Sequence, residues 1–138
     1  MHTFVLQDWI TISGKNGTGA GGSIVQSASD WLDLAPFQDL FAWVAVSEIT
    51  TGSGGRVDLY LETAPSDDES LFQSMTGAAV PAIQGLAASS TPTVVKLPML
   101  TAAVPLSRLL RWRLANGSAS NTWDVTMRIV VAANSPGM

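Results

Sequence analysis

The chain reads as all-β: two packed antiparallel sheets forming a sandwich of jelly-roll type, with at most one short helix. Three observations carry that reading. Apolar residues alternate with polar ones in stretch after stretch, the period of strands with one buried face. Roughly eight to ten such stretches are separated by turns heavy in Gly, Ser and Asn. None shows the long amphipathic helix period that crossovers in a parallel sheet require. A closed barrel would satisfy the same pattern and is the rival architecture.

Taken in order, residues 4–12 hold the β-formers Val5, Trp9, Ile10 and Ile12, interrupted by Gln7 and Asp8, which predicts one bent strand or two short ones. Residues 14–22 form a Gly-rich loop. A phosphate-cradling loop needs Gly-Lys followed at once by Ser or Thr, then a helix; Gly14-Lys15 is followed by Asn16, so a flexible connection is expected. Residues 23–27 and 31–34 give two short strands, with Ala35 and Pro36 turning the chain out of the second. In residues 40–49, Leu40, Ala42, Val44 and Val46 share one face and Phe41, Trp43, Ala45 and Ile49 the other. A strand apolar on both faces should be covered twice, by an opposing sheet and by a loop or neighbouring subunit.

Residues 50–55 compose a hairpin turn, after which Val57, Leu59 and Leu61 alternate with Arg56, Asp58, Tyr60 and Glu62 as a half-exposed strand. If it neighbours the later strands, Asp58 and Glu62 pair across the sheet with Arg111, Arg113 and Arg128, for at most about 1 kcal/mol each. Ser66, Asp67, Asp68 and Glu69 lack the alternating ligands, central Gly and distal Glu of a calcium loop. Ser66 as cap with Glu69 reaching back instead predicts a capped helix or turn, a helix running through Leu71, Phe72 and Met75 and stopping at Gly77. Residues 77–105 form an Ala/Ser/Pro-rich connection with one strand at 93–97, either a surface connection or a segment ordered against a partner.

Residues 105–133 show the strongest pattern. Leu106, Leu110, Trp112 and Leu114 alternate, Arg108 being the exception, and Trp123, Val125, Met127, Ile129 and Val131 repeat the period beyond a turn at 116–121. The two runs predict a long antiparallel hairpin in the middle of a sheet, with both tryptophans inward. Residues 134–138 read as a frayed tail.

With 138 residues the chain is expected to be a single domain, residues 1–138, able to bury about two thirds of its unfolded surface. It has no cysteine, and its one histidine is His2, beside the terminus. Neither a Ser-His nor a Cys-His pair can then be assembled, and no catalytic, cofactor or metal residue is assigned. Glycosidase chemistry needs two carboxyls, for which Glu48 or Glu62 with an Asp are the candidates. Seven basic against 11 acidic side chains give no field for a phosphate backbone, so nucleic acid is not an expected partner. Neither a secretory leader nor a membrane span is expected. Charged residues make up 13%, against about a quarter in ordinary domains, and this low charge favours a homo-oligomer. Two sequons, at Asn16 and Asn116, have no secretory context and carry no weight.

Trp31-Leu32-Asp33-Leu34, the run Val57 to Thr63 leading into Ala64-Pro65-Ser66-Asp67-Asp68-Glu69, and Leu109-Leu110-Arg111-Trp112-Arg113-Leu114 together resemble small β-sandwich structural proteins of tailed-bacteriophage virions, including head-decoration proteins. The resemblance spans residues 31–131 and brings no catalytic motif. It implies a non-enzymatic protein displayed in many copies in the virion, assembled in the host cytoplasm and holding to the major capsid or another virion protein and to itself. The alternative is a carbohydrate-binding β-sandwich module, in which Trp9, Trp31, Trp43 and Tyr60 would stack on sugar rings.

Trp112→Ala should cost about 3–5 kcal/mol in chemical unfolding, as for an emptied large core site. Arg113→Ala should cost under about 1 kcal/mol if it is only surface-paired.

Overall fold

The computed structural model describes residues 2–14, 23–51, 56–77, 80–100, 102–116 and 122–135. Expectations for residues 15–22, 52–55, 78–79, 101, 117–121 and 136–138 fall outside these. The strands are β1 (His2–Gly14), β2 (Ile24–Val25), β3 (Leu32–Asp33), β4 (Asp39–Thr51), β5 (Arg56–Ala64), β6 (Gln73–Ser74), β7 (Ile83–Ala87), β8 (Thr93–Pro98), β9 (Leu109–Asn116) and β10 (Trp123–Asn134).

They form two antiparallel sheets. One has the order β1-β10-β4-β8; the other runs β2-β9-β5-β6, with β3 also on β9 and β7 also on β5. Since β2 and β3 share one side of β9, and β6 and β7 one side of β5, each sheet is four columns wide. The chain passes from one sheet to the other at six of the nine connections between these strands, so strands adjacent in sequence are seldom adjacent in a sheet. That is the winding of a jelly roll, the sandwich type expected from the sequence.

The same winding corrects the expected hairpin. β9 and β10 are both strands with inward tryptophans, but β9 pairs with β5 and β10 lies between β1 and β4, in opposite sheets. Period-2 alternation specifies which face is buried and is silent on which strand lies alongside. The same reason removes Arg128 from the neighbourhood of Asp58 and Glu62.

Two further expectations change. The segment after Ser66 makes one three-residue 3-10 turn, Glu69–Leu71, capped by Asp68 accepting from the Ser70 amide, before β6 starts. Pairing of β6 with Glu62 and Thr63 outcompetes the helix. Ile49 points into the core with Val46, because Val46 pairs with Met127 and Glu48 with Thr126, leaving Ser47 as a bulge that shifts the alternation by one. β1 bends as expected, with register shifts on either side of Gln7. The connection at 77–105 contains β7 as well as β8, and β7 carries a bulge at Gly85, at φ 72°, whose amide donates to Asp58 Oδ1.

The core lies between the sheets: Leu40, Ala42, Val44, Val125, Met127, Ile129 and Val131 from one, Val57, Leu59, Leu61, Leu110, Trp112 and Leu114 from the other. Trp112 and Trp123 are each 2% exposed, and the Trp112 indole donates to Gln7 Oε1 at 3.0 Å. Gly14 pairs with Trp123, and a Cβ at Gly14 would lie inside the van der Waals envelope of that ring. Gly14→Ala should therefore cost about 1–3 kcal/mol by forcing the buried indole aside; equilibrium urea unfolding reads it, and an unchanged midpoint would show that the ring has room to move.

Candidate interaction surface

The two outer faces of the sandwich differ. On the β9–β5 sheet, Glu62 faces Arg111 across the ladder and Tyr60 faces Arg113. Arg111 Nε donates to Glu62 Oε1 at 2.9 Å and Arg113 Nε to Glu62 Oε2 at 3.0 Å, so one carboxylate bridges two guanidinium groups. Trp31 and Phe72 meet edge to face, with ring centroids 4.7 Å apart, and roof this cluster. The Arg111 guanidinium lies 3.9 Å from the Phe72 centroid and 5.3 Å from that of Trp31, and Arg113 lies 3.9 Å from Tyr60. Trp31 is itself held by its indole donating to the Gln26 carbonyl.

The expected pairing of Glu62 with Arg111 and Arg113 therefore occurs, but not on a solvated face. Arg111 and Glu62 are buried, and Asp58, assigned to the same pairing, instead accepts the Gly85 amide. The alternation had put these charges on one face of β5 and β9. The roof comes from Trp31 and Phe72, whose arrival there is a long-range event with no local signal. At the sheet's edge, Arg108 forks onto Asp33, and its guanidinium, with the Ala35 amide, holds the Asp33 carboxyl below its ordinary range.

The outer face of the β1-β10-β4-β8 sheet has no such roof among the described residues. The register aligns Thr3, Ala132, Phe41 and Pro98 in one row, and Val5, Val130, Trp43 and Lys96 in the next. Arg128, Ala45 and Val94 follow, with Asp8 and Trp9 opposing Arg128 two against one at the β1 bulge. Val5 is 46%, Trp9 51% and Val94 63% exposed, while Phe41 and Trp43 are half-buried with centroids 6.3 Å apart. None of the described residues supplies the expected cover on this side of β4. Below lies an open groove of 380 Å³ lined by Thr11, Glu48, Thr50, Asp124 and Thr126.

The aromatic residues of the carbohydrate alternative are divided by this arrangement. Trp31 and Tyr60 belong to the charged cluster, Tyr60 being buried, whereas Trp43 lies on the opposite face and Trp9 at its edge. Glu48 and Asp124 share the groove, both exposed, and both Glu62 oxygens are taken up by arginines. Among the described residues no group of three or more His, Asp or Glu could hold a metal ion, and no helix is long and apolar enough to cross a membrane.

Glu62→Ala leaves two guanidinium groups facing each other under the roof and should cost about 3–5 kcal/mol. Glu69→Ala, which removes an exposed partner 3.4 Å from Arg111, should cost under about 1 kcal/mol. Urea unfolding of the two variants separates them. Because Arg113 shares the buried Glu62, its own truncation should exceed the surface-pair cost.

Solved structures of virus particles share this fold. A structure of the Gx strain of infectious bursal disease virus matches with a TM-score of 0.51 at 14% identity, over 99% of this chain and 32% of that one. The VP2 subviral particle of infectious bursal disease virus matches with a TM-score of 0.51 at 16% identity, and T=1 particles derived from the virus with 0.50 at 14%, each over 99% of this chain and 32% of that one. The chain spans about a third of the length of these neighbours, and at such identities the likeness is one of fold. No protein-family model matches the chain, and no curated protein matches it.

Proposed function

We propose that the chain is a non-enzymatic structural component of a virus particle, a capsid decoration protein or related component that binds the major capsid or another virion protein and copies of itself. The observation that carries this is the fold likeness along 99% of the chain to chains solved as virus and subviral particles. Placement in a bacteriophage virion, assembled in the host cytoplasm, belongs to the same proposal and rests on the sequence resemblance; the solved neighbours come from infectious bursal disease virus.

Two structural features support it. The described carboxylates are held in ion pairs or hydrogen bonds or lie open to solvent, which suits a scaffold better than a reaction centre. The unroofed apolar face supplies a surface for contact. The carbohydrate-binding reading has less support, because its four aromatic residues do not share one face.

Mass spectrometry of density-purified particles from the source of the gene, followed by re-binding of the isolated chain to particles lacking it, tests the proposal. The chain is expected in the particles at a fixed ratio to the shell protein, with saturable re-binding and no change in tryptophan fluorescence across a glycan panel. Absence from particles together with saturable quenching by one glycan would transfer the assignment to the alternative.

A further inference from the structure

We propose that the outer face of the β1-β10-β4-β8 sheet is closed by a second copy of this chain, packed face to face about a two-fold axis running along the strands. The inference rests on the self-association in the proposed function and assigns it a surface and a symmetry.

The face has the size for it. At about 3.4 Å per residue and about 4.8 Å between strands, the rows from Thr3 and Phe41 down to Ser13 and Thr50 are about 30 Å long and about 15 Å wide over β1, β10 and β4, and β8 widens the upper rows to about 20 Å, on the order of 500 Å² of plane. Two such faces remove on the order of 1,000 Å² from solvent, the least that a specific interface needs, before side-chain relief is counted. Phe41, Trp43, Ala45, Val130 and Val5 give its middle the aromatic content of an interface core, Arg128, paired with Asp8, being the charged exception.

Charge and shape then select the orientation. The edge strands of this sheet are β1 and β8. Asp8, 79% exposed and 3.5 Å from Arg128 Nε of its own chain, sits on β1 and the exposed Lys96 on β8, one row apart; Trp9 and Val94 occupy the same row at opposite edges. A two-fold axis along the strands exchanges the edges and keeps the rows. Each Val94 then meets the partner's Trp9 and each Trp43 the partner's Val130, the reciprocal pattern an isologous contact demands, and each Lys96 stands one row from the partner's Asp8, within reach of its long side chain. An axis across the strands would set β8 on β8, a strand that offers Lys96 no countercharge.

Sedimentation velocity over a concentration series tests this, using the full chain and charge reversals. The wild type is expected to reach the dimer mass. Lys96→Glu and Asp8→Lys should each weaken the dimer by at least about tenfold in Kd, since like charges then lie within reach of each other. The double reversal should restore it. Leu71→Asp, on the opposite side of the sandwich, should leave the mass unchanged. A dimer indifferent to both single reversals, or a double reversal that fails to recover, would overturn this interface while leaving particle binding intact as the proposed function. A wild type that is monomeric at all concentrations but still binds particles would do the same, whereas a monomer that binds no particle would remove both.

Discussion

Everything in this molecule depends on each sheet having one face that must be hidden and on the other sheet being the place to hide it. Trp112 and Trp123 sit on opposite sides of that contact, both almost fully enclosed, with Gly14 giving up its side chain to make room for the second. Because the chain changes sheet at most connections, the core is assembled from contacts distant in sequence. The buried layer alone defines a scaffold. Function must therefore be sought on the two faces that point away from it.

Those faces are finished in different ways. On the β9–β5 sheet, Glu62 bridges the two arginines on one side of β9; Arg111 is buried beneath Trp31 and Phe72, and Arg113 lies against Tyr60, so the middle of this face is covered by the chain's own side chains. The β4–β10 side ends instead in Phe41, Trp43, Val130 and Val5, with nothing among the described residues laid over them. A buried ion cluster adds less to stability than an apolar substitute would, but it is unforgiving of change and fixes how the β2–β3 segment lies on the sheet. An apolar sheet face costs nothing to expose in a crowd of identical copies and is a hazard for a solitary chain. The contrast is what ties the fold to the assembling role proposed for it.

Much of this was legible in the residues. The period of two in β4, β5, β9 and β10 located the strands, the inward tryptophans and the double apolar face of β4. Partnership between strands was not legible: adjacency in sequence pointed to a β9–β10 hairpin, whereas the jelly-roll winding separates them, because alternation constrains faces and not neighbours. The helix read into Ser66 and Glu69 failed for a related reason, a short capping signal yielding to pairing of Gln73 and Ser74 with β5. For the candidate surface, the sequence indicated Trp43 and its strand, but not that Asp8 and Lys96 would stand on opposite edges of one sheet. The Ser47 bulge that turns Ile49 inward has no residue signature at all.

Side-chain oxidative footprinting of the chain, dilute and then assembled, addresses the central claim most directly. The account predicts that Trp112 and Trp123 resist oxidation in both states, while Trp9, Phe41, Trp43 and Val94 are modified in the dilute chain and protected on assembly. Protection that fell instead on Trp31, Leu71 and Phe72, with Trp43 still oxidised, would contradict it by placing the contact on the opposite face of the sandwich.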